Sequence, residues 1–174
     1  EVLGIHLTKL FFDEELGFKD YICGTLQKWR KEVPYLLTTY ERGRDLSHHD
    51  LSDFKQALGR QYYLHEVLCL YDVEDRHLIV REDGSLCRID FGRCFENPQK
   101  KYLGFHDYLK HKELDINDRE FQQGYEEEKH TIRSSVQGCK RELRNLISTI
   151  KSLQYETGII FDPERFANRL IDHW

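Results

Sequence analysis

The sequence predicts an α+β fold in which helices outweigh strands. Charged residues make up 33 % of the 174-residue chain, which has only 11 glycines and 3 prolines, a composition typical of helix-rich globular proteins. Apolar side chains recur every three or four residues in several long segments, as they do on one face of a helix. Shorter runs of β-branched and aromatic residues, two of them joined by Asp83-Gly84, indicate strands.

The first 43 residues are expected to form a strand, a helix and a second strand. Residues 2–12 are rich in β-branched and aromatic side chains, which favours a strand. From residue 13 to about residue 31 the apolar positions follow a helical spacing, and the acidic start suits the positive end of a helix. Residues 33–40 again have the composition of a strand, which Gly43 ends.

Residues 44–174 are expected to form a larger, mainly helical part. An amphipathic helix is predicted from about Leu51 to Leu70, a loop with short helical pieces over 97–118, and one or two long helices over 120–155. Gly158 and the pair Asp162-Pro163 favour the end of one helix and the start of a last one.

An apolar seam runs along the long helical stretch in alternating steps of four and three residues. Its members are Ile132, Val136, Cys139, Leu143, Leu146, Ile150 and Leu153. A seam of this length fits either the core of a helical lobe or the interface of a coiled-coil dimer, so helix-mediated self-association is one of two interpretations.

A β-hairpin is predicted at the centre of the chain, from residues 77–80 through the turn at 81–84 to residues 85–89. Asp72 precedes the first strand and Asp90 follows the second. Because a hairpin brings its ends together, these two carboxylates are expected to face the same space. Phosphoryl transfer needs such a pair, one carboxylate to orient the attacking hydroxyl and accept its proton and another to hold magnesium.

Composition excludes several other classes of function. The net charge is −5 and the pI is near 6.0, and no like-charge run exceeds residues 126–128, so nucleic acid is not an expected partner. The 5 cysteines form no Cys-x-x-Cys pair and are expected to be free thiols. No apolar stretch is long enough to span a membrane, and a cytoplasmic location is expected. Because the sequence begins at Glu1 and contains no methionine, a piece of a longer protein is expected.

Two motifs resemble the protein-kinase superfamily. Residues 89–92, Ile-Asp-Phe-Gly, resemble its metal-binding Asp-Phe-Gly loop with the preceding aliphatic strand. Asp72 lies eighteen residues before Asp90, at the spacing of the family's catalytic aspartate. The family's metal-binding asparagine is replaced by His77. Asp-Val-Glu-Asp-Arg-His at 72–77, followed by Ile-Asp-Phe-Gly-Arg at 89–93, resembles a divergent kinase-like family common in fungal genomes.

The resemblance implies a compact protein-kinase-like fold with a small or incomplete N-lobe at 1–43 and a mainly helical C-lobe at 44–174. It also implies ATP and Mg²⁺ as cofactors and transfer of the γ-phosphoryl group to a hydroxyl of a protein or a small molecule. Asp72 would be the catalytic base and Asp90 the metal ligand. His77 would contact a second metal or the phosphates.

Three further cofactor contacts follow from the same resemblance. Lys9 would hold the nucleotide phosphates, and Glu15, on the helix at 13–31, would pair with that lysine. Tyr40 belongs to the hinge segment where backbone groups meet the adenine. In a second alignment, Asp75-Arg76-His77 matches the Asp-Arg-His of lipid-kinase-like enzymes and makes Asp75 the catalytic acid, but it leaves no room for the loop that those enzymes place before the next strand.

Departures from the family pattern keep other interpretations open. No glycine-rich phosphate loop precedes Lys9, and no Ala-Pro-Glu follows the Asp-Phe-Gly. The alternative function is therefore a pseudokinase, which uses the same fold as a scaffold that binds nucleotide or protein. Residues 90–92 also fit a turn that ends a strand, and His77 also fits a packed core histidine. The pair His48-His49 is a zinc candidate on composition, but adjacent histidines point apart on most backbones.

Overall fold

The computed structural model describes residues 21–28, 31–38, 41–68, 70, 72–91, 104–138 and 145. Within these residues the chain combines strands with helices, so the α+β class is confirmed. None of the described helices is both long enough and apolar enough to cross a membrane.

The first two strands form an antiparallel hairpin. Strand β1 (Tyr21–Lys28) pairs with β2 (Lys31–Thr38) along its whole length, from Tyr21 opposite Thr38 to Lys28 opposite Lys31. The strand predicted over 33–40 is confirmed as far as residue 38.

The helix predicted over 13–31 is wrong for the residues of β1 and for the first residue of β2. The segment contains β-branched and aromatic residues at Tyr21, Ile22 and Thr25, and its Gly24 weakens a helix. Its apolar positions follow a helical spacing and do not alternate, and the neighbouring strand decides the outcome by pairing with every residue of β1. The rest of the predicted helix, 13–20, and the strand predicted over 2–12 lie outside the described residues.

A second sheet contains three antiparallel strands. Its order is β3 (Arg44–Asp45), β4 (Leu78–Val80) and β5 (Leu86–Arg88). The predicted central hairpin is confirmed as β4 and β5. Gly84 in its turn has a φ of 83°, which glycine adopts without strain. Strand β3 was not predicted, because two residues are too short to show a period.

Glycine is required where the chain enters β3. Gly43 has a φ of 155°, and a Cβ built there would lie 2.1 Å from the carbonyl oxygen of Val80. Beside it, the Arg81 Nε donates to the Glu41 Oε2 at 2.8 Å, in an ion pair whose side chains are only 9 % and 7 % exposed. These contacts hold the segment before β3 against the end of β4.

Among the described ranges, the α-helices with defined bounds are, in chain order, α1 (Lys55–Leu68), which lies between β3 and β4, α2 (Gly104–His111) and α3 (Arg119–Gly138). Helix α1 confirms the helix predicted from Leu51, whose first four residues form a 3₁₀ turn. Helix α2 is one of the short helical pieces expected within 97–118, and α3 confirms the start of the long helical stretch. Of the predicted seam, Ile132 is buried on α3. The later seam positions and the caps at 158 and 162–163 lie outside the described side chains.

Helices α1 and α3 pack with their backbones in close approach. A Cβ at Gly59 would lie 2.0 Å from the carbonyl oxygen of Phe121, and one at Gly124 would lie 1.9 Å from that of Gln56. Polar bonds flank this crossing, including one from the Lys55 Nζ to the Asp118 Oδ2 at 2.7 Å. The two glycines therefore set the distance between the helices.

One apolar core joins the central sheet to the helices. It consists of the buried side chains of Leu46, Leu58, Leu78, Val80, Leu86, Phe105, Leu109 and Phe121. Both strands of the β4–β5 hairpin contribute to it. Packing against the helices therefore fixes the position of the hairpin and of the residues at its ends.

Candidate functional site

The open end of the β4–β5 hairpin brings Asp72, His77 and Asp90 together. One ligand atom from each side chain lies within 4.8 Å of the other two. His77 is buried, and the two aspartates are partly exposed. The structure thus places the two acids in one space, as the hairpin predicted. Among the residues that the structure describes, this is the group of histidine and carboxylate side chains with the geometry to hold a metal ion.

Local backbone bonds create this convergence. Residues 75–77 form a 3₁₀ turn, closed by the His77 N–H donating to the carbonyl oxygen of Glu74 at 2.9 Å. The Ile89 N–H then donates to the carbonyl oxygen of His77 at 3.0 Å, which continues the β4–β5 ladder beyond the strands. Asp90, the next residue, is therefore held beside His77.

The contacts of the His77 ring determine which nitrogen faces the site. The Nδ1 lies 3.3 Å from the backbone carbonyl oxygen of Asp72. A carbonyl oxygen only accepts, so the Nδ1 carries the proton in this contact and the Nε2 of a neutral ring presents a lone pair. That Nε2 lies 3.7 Å from the Asp90 Oδ2. Asp72, His77 and Asp90 thus each bring a potential ligand atom to one space.

A residue that sequence reasoning missed, Arg88, holds the backbone on both sides of the site. Its side chain is completely buried. The Nε donates to the carbonyl oxygen of Asp90, and the Nη2 donates to that of Asp72 at 2.6 Å. Since one rigid guanidinium binds both carbonyls, it sets the separation of the two acids. The only sign of this role in the sequence is that Arg88 lies two residues after the apolar Leu86 on a short strand, which is the spacing of one strand face.

His65, on helix α1, supports Arg88 from the opposite direction. The Arg88 Nη1 lies 3.3 Å from the His65 Nε2, and the imidazole packs on the Phe105 ring with centroids 4.4 Å apart. Burial lowers the pKa of His65 well below its usual range, and the positive charge of Arg88 and proximity to His77 lower it further. The ring is thus kept neutral, which leaves the Nε2 able to accept the Arg88 bond.

Asp75, the alternative catalytic acid, is bound to helix α2. It accepts hydrogen bonds from the Tyr108 Oη at 2.6 Å and from the Lys112 Nζ at 2.7 Å. Burial raises the pKa of Tyr108, and the bond to Asp75 raises it further. Asp75 is not a member of the converging group. Of the two acids considered, Asp72 is the one that shares a site with Asp90.

The remaining predicted contacts lie elsewhere in the chain. Lys9, Glu15 and Tyr40 lie outside the described residues, so their roles stay predictions. The zinc candidate on composition, His48-His49, does not form a metal cluster within the described part. The His48 Nδ1 contacts the Asp45 Oδ1 at 3.2 Å, and the His49 ring packs edge-on against Phe54.

Comparison with known proteins found no match: no protein-family model, no curated protein and no solved structure is similar to this chain. The resemblance to kinase-like sequences therefore rests on the two sequence motifs alone.

Proposed function

We propose that the chain binds a divalent cation and ATP at the Asp72–His77–Asp90 site and transfers the γ-phosphoryl group to a hydroxyl, as a kinase-like phosphotransferase with a small or incomplete N-lobe. One observation carries the proposal. Two carboxylates, separated along the chain as in kinase-like enzymes, meet with a buried imidazole within 4.8 Å.

The donor set fits a divalent cation. Carboxylate oxygens and imidazole nitrogens are ordinary ligands for such ions. The His77 Nδ1 contacts a backbone carbonyl oxygen, which is how metal-binding histidines are usually oriented by their surroundings. When bound, a cation held by Asp90 and His77 would supply positive charge that offsets the negative charge of the nucleotide phosphates.

Residues of the chain itself would carry out the other steps of the phosphoryl transfer. Asp72 orients the acceptor hydroxyl and takes its proton while the hydroxyl oxygen forms a bond to the γ-phosphorus. The bond from that phosphorus to the leaving oxygen of ADP breaks in the same displacement. Asp90 and His77 provide the ligands for the cation, and Arg88 keeps Asp72 and Asp90 at a fixed separation.

Thermal unfolding of the full chain with ATP, with and without Mg²⁺ or Mn²⁺, tests the binding part of the proposal. A ligand at about 100 times its Kd adds roughly 2.7 kcal/mol to the unfolding free energy, so a clear rise in Tm that needs the cation is expected. Asp90→Asn should abolish that rise while the unliganded protein stays folded, because the Asp90 side chain is 41 % exposed and removing its charge leaves the core intact.

The matched control is Asp107→Asn, which removes a carboxylate from an exposed position on α2 and should leave the rise in Tm unchanged. A rise that persists in Asp90→Asn would contradict the proposed site. Cation-dependent binding of ATP without formation of ADP, in the presence of protein and small-molecule hydroxyl acceptors, would favour the scaffold alternative over transfer.

A further inference from the structure

We infer that His77 makes this site prefer a first-row transition-metal dication over Mg²⁺. The inference rests on the proposed cation site and specifies which ion that site takes. It concerns the position where the kinase-like pattern has an asparagine and this chain has an imidazole.

The chemistry of the ligands carries the preference. Mg²⁺ is a small, hard ion that keeps oxygen ligands and several of its waters. Imidazole nitrogen binds the first-row transition dications better, while carboxylates accept both kinds of ion. A ligand pair of one carboxylate and one imidazole, Asp90 and His77, therefore still admits Mg²⁺ but binds a transition-metal dication more tightly.

The structure holds the imidazole in the orientation that this role needs. The His77 side chain is 8 % exposed, and its Nε2 faces the Asp90 carboxylate. The carbonyl oxygen of Asp72 accepts from the Arg88 Nη2 at 2.6 Å and faces the His77 Nδ1 at 3.3 Å. Since the guanidinium fixes that carbonyl, the carbonyl in turn fixes the ring and keeps the Nε2 lone pair directed at the site.

A packed core histidine is the competing interpretation of the same residue. Such a ring would use a nearby carboxylate as a hydrogen-bond partner, but the 3.7 Å between the His77 Nε2 and the Asp90 Oδ2 is too long for a hydrogen bond. His77 lies at the open end of the hairpin, with the partly exposed Asp72 and Asp90 before it, where an ion can enter from solvent. The position and the facing carboxylate both favour a ligand.

The test of the inference is direct binding of Mn²⁺ to the full chain in the absence of nucleotide. Electron paramagnetic resonance measures the free Mn²⁺, and Mg²⁺ serves as the competitor. In the unmodified protein we expect Mn²⁺ to bind more tightly than Mg²⁺, because imidazole favours the transition-metal ion. His77→Asn should lower the affinity for Mn²⁺ by about tenfold or more, the scale seen when the surroundings of a metal site are disturbed. It should leave the affinity for Mg²⁺ nearly unchanged, so the preference ratio falls.

The control is His130→Asn, which removes an exposed imidazole on α3 and should leave both affinities as they are. Equal binding of Mn²⁺ and Mg²⁺ by the unmodified protein, or a preference ratio that survives His77→Asn, would overturn the inference while leaving the proposed function in place. If neither ion binds, the cation site itself is refuted, and the proposed function fails with it. If His77→Asn does not fold, the affinities of the unmodified protein for Mn²⁺ and Mg²⁺ still test the inference.

Discussion

At the scale of single residues, the contact between Arg88 and His65 couples a buried charge to a buried titratable ring. The guanidinium needs an acceptor at the His65 Nε2, and burial together with its own charge holds the pKa of His65 well below the usual range. The same contact that orders the site is therefore sensitive to acid, because protonation would put two positive groups against each other with His77 nearby.

The stability of the protein should fall as the pH drops below about 6.5. In the unfolded chain His65 binds a proton near that pH, whereas the folded chain does not, so the unfolded state gains protons first and is favoured. The slope is up to about 1.4 kcal/mol per pH unit. His65→Gln should reduce it, since an amide oxygen accepts from Arg88 without titrating. Urea unfolding between pH 7.5 and pH 5 measures the unfolding free energy of the unmodified protein and of His65→Gln.

Carboxylates do not obscure that comparison. The bond from Lys55 lowers the pKa of Asp118, and a backbone bond from Glu120 lowers it further, so its contribution is lost only at more acidic pH. Equal slopes for the unmodified protein and His65→Gln would show that His65 does not control the response.

At the scale of elements, the crossing of α1 and α3 depends on the absence of side chains at two positions. Gly59 faces the backbone of α3 and Gly124 faces the backbone of α1, each at a distance that a Cβ cannot occupy. A glycine within a helix lowers its intrinsic stability, so at these positions the close packing offsets that loss.

Gly59→Ala should lower the unfolding free energy by roughly 2 kcal/mol or more, although alanine is the better helix former. The reason is overpacking against the carbonyl of Phe121, which the helices relieve only by moving apart. Chemical denaturation measures the change, and Ser134→Ala, at an exposed position on α3, serves as the control. A more stable Gly59→Ala would mean that helix propensity outweighs the packing at this crossing.

Some elements could be predicted from the sequence and others could not, for identifiable reasons. The helix from Leu51 and the hairpin around Asp83-Gly84 have a clear period and a clear turn. Strand β1 was mistaken for a helix because its apolar positions follow a helical spacing, and only its pairing with β2 shows that it is a strand. A glycine such as Gly59 indicates a weak helix in the sequence, and its packing role depends on a partner 60 or more residues away in the chain.

At the scale of the whole molecule, the site joins a loop, a strand and a helix through one side chain. Arg88 on β5 binds the carbonyl oxygens of Asp72 and Asp90, and it reaches His65 on α1. The convergence of Asp72, His77 and Asp90 was predictable, because the hairpin connects them directly. Arg88 and His65 were not, because their role depends on burial and on bonds to main-chain atoms that a sequence does not display.

Arg88→Lys should weaken binding of Mn²⁺ by about tenfold or more in the folded protein. An ammonium group cannot bind two carbonyls and an imidazole in the fixed geometry of a guanidinium, so the separation of the acids is no longer held. Arg60→Lys is the matched control. Arg60 pairs with the buried Glu128 at 3.0 Å, so this change should lower Tm without altering affinity for Mn²⁺. Unchanged affinity in folded Arg88→Lys would assign Arg88 a purely structural role.

The three residues of the candidate cation site lie between positions 72 and 90. Bringing them together closes one short loop, and the entropy cost of closure grows only slowly with loop length. The turn, the β4–β5 ladder and the bond from Ile89 to His77 already impose that closure. An arriving ion would thus meet ligands whose conformational freedom had been lost during folding, and little of its binding energy would be spent on ordering them.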